Sequence, residues 1–246
     1  PLPSFSSKSK SSFFNGKPFV FENPILIEDL PKVNVVIISH DHYDHLDSKA
    51  IKDLSNLVDH FIVPLGVGAH LERWGVNKNK ITELDWYESK SYKDVEFIFA
   101  PALHFSGRGI TNGNSTLWGS WIVKSKSLSA YFSGDGGYSE TFKKLGNEYG
   151  PFDIAFIENG AYNIDWSNVH MFPDESVQAS IDLKAKVLFP IHWSKFDLSI
   201  HPWDEPIIRV TQEAKKKNVK IATPMIGEVF DLNNLPRNPW WEKLRN

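Results

Sequence analysis

The chain of 246 residues contains no cysteine. That excludes disulfides and thiolate ligands, so any metal site must use imidazole and carboxylate. A strong charge of one sign is also lacking. The net charge is −3 and there is no basic arm. A phosphate backbone is therefore a poor partner, and no nucleic acid is expected. No apolar run is long enough to cross a bilayer. The opening stretch PLPSFSSKSKSS has none of the apolar centre that a secretory signal needs. A cytoplasmic or peripheral-membrane location follows as the expectation.

Aromatic residues, by contrast, are plentiful, with 9 Trp and 17 Phe. Most should be core, and Trp118, Trp121 and Trp193 are candidates for a lipid-facing groove, with core the favoured reading. Apolar content of 41% and charged content of 23% suit a soluble globular chain. Residues 1–23 begin Ser- and Lys-rich and are expected to be partly loose. Residues 24–246 read as one α/β domain, with strands mixed with crossover helices and no internal repeat.

Helical spacing marks 48–59, 66–75, 139–150, 173–185 and 204–219. Strands are expected at 33–38, 60–64, 81–86, 95–103, 152–159 and 186–193, with a hairpin over 117–135. KIATP (220–224) and EVFDL (228–232) read as short closing strands. The run Val33, Val35, Val36, Ile37, Ile38 predicts a strand buried on both faces.

That strand leads into SHDHYDHLD (39–47), where histidines and aspartates crowd a loop. In α/β folds, ligands bind past the C-terminal ends of strands. The order H-x-H-x-D-H places His40 and His42 toward one point and Asp44 and His45 toward a second. Such a split suits two divalent ions. Imidazole with carboxylate favours zinc, with iron and manganese as alternatives. His104, Asp135 and His192 each follow an apolar run in the same way, and complete the candidate ligand set. A lone strand-end His is more often a hydrogen-bonded structural residue, and Asp135 among glycines could simply cap a turn. Four strand ends carrying His or Asp outweigh those readings.

Other residues are weighed individually. His170 either caps the helix that follows it or touches substrate. Tyr43 points into the mouth of the site as a substrate contact. Asp47 is expected to orient ligating imidazoles. His60, His70 and His201 read as structural.

The ligand order resembles that of the metallo-β-lactamase superfamily. The stretches DLPKVNVVIISHDHYDHLD, VPLGVGAHLERWG, TLWGSWIV, FSGDGGY, GPFDIAFIENGAY and FPIHWSKFDLS narrow the resemblance. They resemble the N-acylphosphatidylethanolamine-hydrolysing phospholipases D and their bacterial relatives, from about Phe13 to the end. The resemblance implies an αββα sandwich with a two-metal site at one sheet edge. It implies that His40, His42 and His104 hold one ion, that Asp44, His45 and His192 hold the other, and that Asp135 bridges them. It also implies that His170 and Tyr43 lie near the substrate phosphate. One departure stands out. The strands that precede the metal loop in the family look absent between FFNGKPFVFENP (13–24) and ILIEDLPKV (25–33). A sheet shortened in this way would need completion, for instance by a partner chain in an oligomer.

The implied activity is hydrolysis of a small-molecule or lipid phosphodiester by a metal-bridging hydroxide. Asp44 would orient the nucleophile, Asp135 bridge the ions, and His170 bind or protonate an oxygen. A lactonase or amide hydrolase on the same fold is the alternative, and a non-catalytic metal-binding protein is a further one. A tRNA-processing nuclease is disfavoured by charge. A diiron oxygen-reducing enzyme is disfavoured because His42 stands where that branch usually has Glu.

Overall fold

The computed structural model describes residues 17–19 and 26–245. Most of the 1–23 segment, and of the stretch where strands were expected to be missing, lies outside them. The strands are β1 (Lys17–Pro18), β2 (Val33–Ile37), β3 (Val58–Pro64), β4 (Ile81–Leu84), β5 (Ser89–Tyr92) and β6 (Val95–Ala100). They continue as β7 (Ser120–Lys124), β8 (Ser129–Phe132), β9 (Ile154–Glu158), β10 (Leu188–Ile191) and β11 (Phe196–Asp197). The helices are α1 (Ser48–Leu54), α2 (Gly68–Arg73), α3 (Thr141–Glu148), α4 (Pro173–Asp182) and α5 (Glu205–Lys216).

Two main sheets form. One has the order β10-β9-β8-β7-β6-β5 and the other β2-β3-β4, while β1 pairs with β11. Strand alternation sorts side chains into separate cores. Ile62 of β3, Phe97 and Phe99 of β6 and Trp121 of β7 pack together between the sheets. Their neighbours Phe61 and Val63 pack instead with Ile51, Leu54 and Leu71 of α1 and α2. On the far side, Ile98, Ile122 and Tyr131 meet Leu145, Val177 and Val210 of α3, α4 and α5. The layers are therefore helix, sheet, sheet, helix, the metallo-β-lactamase architecture expected. Each fully buried large side chain contributes roughly 1.5–3 kcal/mol, and Phe61, Phe99 and Trp121 are fully buried.

Asn34 is exposed. Among the described residues β2 pairs only with β3, and both of its faces are covered as expected, Val36 packing with Ile51 and Leu54 while Val35 and Ile37 pack against the core between the sheets. Several local expectations are corrected. The helix expected over 48–59 stops at Leu54 because Val58 and Asp59 enter β3. KIATP and EVFDL contribute only isolated bridges, Leu188 to Ile221 and Asp231 to Asn234. Strand β5, SKSY, went unforeseen. It is polar and mostly exposed at a sheet edge, so it has no apolar face to betray it. Near the C-terminal end Trp241 is buried and Trp240 stacks on Trp193 at 5.4 Å. Trp121 is core, its indole N–H donating to Ile38 O at 2.8 Å.

Candidate metal centre

The C-terminal ends of β2, β6, β8, β9 and β10 converge on one edge. They carry, in turn, the His40–His45 loop, His104, Asp135, Glu158 and His192. Glycines let these backbones approach. A Cβ on Gly134, whose φ is +60°, would lie 2.7 Å from Gly119 O and from the Ser39 Cβ. A Cβ on Gly160 would lie 2.1 Å from His192 O. His192 itself adopts φ 65°, a sparsely populated conformation that persists only where surroundings impose it.

The ligand-type atoms fall into groups. His40, His42 and His104 form one and Asp44, His45, Asp135 and His192 a second, the atoms of each lying within 4.8 Å of one another. In the first, His42 Nδ1 stands 3.0 Å from His40 Nε2 and 3.3 Å from His104 Nε2. Ligands about 2.0–2.1 Å from a tetrahedral zinc lie roughly 3.3–3.4 Å apart, so the spacing suits one cation. In the second, Asp135 Oδ2 is 2.9 Å from His45 Nε2 and 3.2 Å from His192 Nε2. Asp44 Oδ2 is 3.2 Å from His45 Nε2 and 3.5 Å from His192 Nε2. Asp135 Oδ2 also lies 4.0 Å from His40 Nε2, which places it between the groups.

These approaches are not ordinary hydrogen bonds. His45 Nε2, His192 Nε2 and Asp135 Oδ1 are buried and make no hydrogen bond among the described residues. Buried polar atoms left without partners are costly, and a shared cation would satisfy them. The clusters are able to bind metal ions, and their donor chemistry fits zinc, iron or manganese.

The electrostatics divide the same way. Burial lowers the pKa of His40 and His42 and pushes His104 down to about 3, so these rings are neutral. Burial also favours a neutral His45, yet Asp135 and Asp44 outweigh it and hold His45 up to about 10. Asp44 and Asp135 go the other way: burial would raise them, but the nearby His45 and His192 keep both ionised.

Supporting contacts steady the loop. Ser39 Oγ stands 3.0 Å from His40 Nδ1, and His104 Nδ1 stands 3.2 Å from Val169 O. Asp41 is fully buried and turned away from the clusters. Its Oδ1 accepts Gly107 N–H at 2.7 Å and its Oδ2 lies 3.4 Å from His70 Nε2. His70 therefore braces the loop. His60 bonds Thr82 Oγ1 at 2.8 Å and His201 stacks on Tyr162, both away from the site. Asp47 does not reach an imidazole: its Oδ1 caps α1 by accepting Ala50 N–H at 2.7 Å.

His170 does not cap α4, where Glu175 accepts Phe172 N–H at 2.9 Å instead. It stacks on His192 at 5.2 Å and tilts against His104 at 5.5 Å. Tyr43 is 37% exposed, with its hydroxyl on Arg108 O. Two residues escaped the sequence reading. Phe105, 44% exposed, packs on His42 and His104. Glu158, fully buried, lies within reach of His170 and His192. The strand-end rule that found His192 would also have found Glu158 at the end of FDIAFIE.

Comparison with known proteins agrees with this geometry. Residues 3–193 match the family model described as a Beta-lactamase superfamily domain. An uncharacterized protein of Mycobacterium tuberculosis is 41% identical over 244 residues, covering 97% of this chain and 65% of the relative. The chain thus spans about two thirds of that relative's length. N-acyl-phosphatidylethanolamine-hydrolyzing phospholipase D 1 of Caenorhabditis elegans is 32% identical, covering 94% of this chain and 70% of the relative. Among solved structures, the metallo hydrolase Igni18 of Ignicoccus hospitalis superposes with a TM-score of 0.62 at 19% identity, covering 80% of this chain and 78% of that one. The chain belongs to the beta-lactamase superfamily and has its metallo-β-lactamase fold.

Proposed function

We propose that this protein is a dinuclear-metal-dependent hydrolase of phosphodiesters, with an N-acylphosphatidylethanolamine-like lipid as the substrate class. The observation that carries the reading is Asp135 Oδ2. It lies 2.9 Å from His45, 3.2 Å from His192 and 4.0 Å from His40, and so joins the two groups of ligand atoms. In this reading His40, His42 and His104 hold one ion, and Asp44, His45 and His192 hold the other, with zinc the expected metal. Divalent cations bound there supply an activated water and electrostatic stabilisation of a phosphoryl group.

The chain's own residues do the rest. Asp44 and Asp135 stay ionised at neutral pH and keep the edge anionic enough to collect cations. Burial opposes a charged His170, but Glu158 outweighs it and lifts the ring to about 8. An imidazolium there can donate an N–H to a phosphoryl oxygen or a proton to the leaving oxygen. Tyr43 has its hydroxyl committed to Arg108 O, so it meets substrate through its ring. Phe105 and Leu103, both exposed, offer apolar surface beside the histidines for an acyl chain. The relatives that act on N-acylphosphatidylethanolamine support the lipid.

Purified protein should be assayed on bis-p-nitrophenyl phosphate and on N-acylphosphatidylethanolamine, with and without chelator. Turnover of both that chelation abolishes and zinc restores is expected. Absence of metal-dependent turnover on any phosphodiester ends this reading, and turnover of a lactone or amide instead replaces it.

A further inference from the structure

The carboxylate of Glu158 ends β9 and is fully buried. Its Oε1 accepts the Met171 N–H at 2.7 Å. Its Oε2 faces two imidazoles, with His170 Nδ1 at 3.4 Å and His192 Nδ1 at 3.7 Å. The two rings stack at 5.2 Å, only 14° from parallel. Oε2 and both Nδ1 atoms are buried and have no hydrogen-bond partner among the described residues. The separations exceed a full hydrogen bond, but among the described residues no other hydrogen-bond partner engages these atoms, and Oε2 is the carboxylate oxygen that both Nδ1 atoms face. A carboxylate oxygen has two lone pairs and can accept both N–H groups.

We propose that Glu158 is a positioning residue that sets the tautomer of His192 and anchors His170 beside it. A neutral imidazole carries one proton. Held at Nδ1 by the carboxylate, that proton leaves the Nε2 lone pair of His192 free, and Nε2 is the nitrogen that faces Asp135 and Asp44. Without the negative charge, the proton has no reason to stay on Nδ1. In Glu158→Gln the carbamoyl oxygen can keep the Met171 N–H and the amide N–H then points at the imidazoles. A donor there favours the opposite tautomer, with the His192 proton on Nε2, where it blocks ligation. The same substitution releases His170. The inference rests on the two-metal hydrolase reading above.

The test is a stepwise zinc titration of wild type and Glu158→Gln against a chromophoric chelator. Long-range 1H–15N correlation of the histidine rings in the zinc-loaded wild type accompanies it. The expected result is two zinc ions in wild type and His192 protonated at Nδ1. In the variant one of the two ions, the one His192 would ligate, should be held about 10–100-fold less tightly, with the other unchanged. Glu158→Asp, which keeps the charge at shorter reach, should recover part of the loss. The NMR arm needs no variant and stands even if Glu158→Gln fails to fold. Two zinc ions bound as tightly by Glu158→Gln as by wild type, or His192 protonated at Nε2, overturns the role of Glu158 alone. A third zinc ion lost on substitution overturns it as well, since Glu158 would then be a ligand. A wild type that takes up no zinc overturns both this inference and the function on which it rests.

Discussion

The Tyr43 hydroxyl donates to the Arg108 carbonyl at 2.6 Å, while the Arg108 guanidinium lies 4.1 Å over the Tyr43 ring. The same guanidinium donates to Asp41 O at 2.6 Å and Leu46 O at 2.7 Å. Arg108 therefore clamps both ends of the loop that presents His42, Asp44 and His45. Arg108→Ala should lose roughly 2 kcal/mol of stability, since bonds from a charged donor to buried acceptors are worth about 1.5–3 kcal/mol each and part is regained from water. It should also loosen zinc binding. Denaturant midpoints and chelator competition read the two effects. An unchanged midpoint would rule out the clamp. Tyr43→Phe, which removes one partly exposed bond, should cost about 1 kcal/mol or less.

Asp135→Asn should lower the zinc content from two ions per chain toward one, because its oxygen serves both groups. Activity should fall roughly a hundredfold or more, at least as far as loss of an outer supporting bond lowers it. Elemental analysis after desalting measures the first and initial rates the second. Two tightly held ions in the variant would remove Asp135 from the ligand set.

Zinc binding at the two groups should respond differently to pH. His40, His42 and His104 are neutral near pH 7, so their ion displaces no proton. His45, held up to about 10, must shed its proton to ligate. Affinity of that group should rise about tenfold per pH unit between roughly pH 7 and 9. Calorimetry in buffers of different ionisation enthalpy should count the released proton. In the metal-free protein the sign reverses. The charged His45 stabilises the fold fully below its ordinary pKa near 6.5, and that contribution fades as pH rises through about 10.

Gly160→Ala should destabilise by roughly 1–3 kcal/mol, the usual cost of forcing an atom into packed structure, because its Cβ would sit 2.1 Å from the His192 carbonyl. Gly113→Ala, with nothing within 4 Å of its Cβ, serves as the control and should stay within about 0.5 kcal/mol. Thermal melts of both variants, with zinc content measured alongside, check the contrast.

Much of this architecture was legible because burial writes a periodic pattern. Phe97 and Phe99 alternate with Ile98 and Ala100, and each set meets a different core. The candidate site was legible because His40, His104, Asp135 and His192 all follow such runs. What stayed hidden had no apolar signature. Strand β5 is polar on an edge. Asp47 has the same chemistry whether it steadies an imidazole or a helix N-terminus, and only the fold decides between them. Glu158 was passed over although it ends a strand, because that strand was read purely as core.

The two sheets each bring part of the centre. The loop after β2 belongs to the smaller one, while His104, Asp135 and His192 belong to the larger. A bound ion would thus be a rivet between halves that also meet through Ile62, Phe97, Phe99 and Trp121 and through the Arg108 and Trp121 hydrogen bonds. Stripping it should weaken the hold between the layers, so loss of metal should lower the cohesion to what the apolar core and the hydrogen bonds then supply alone. A chain drained of zinc would then melt earlier by an amount set by how tightly the rivet was held.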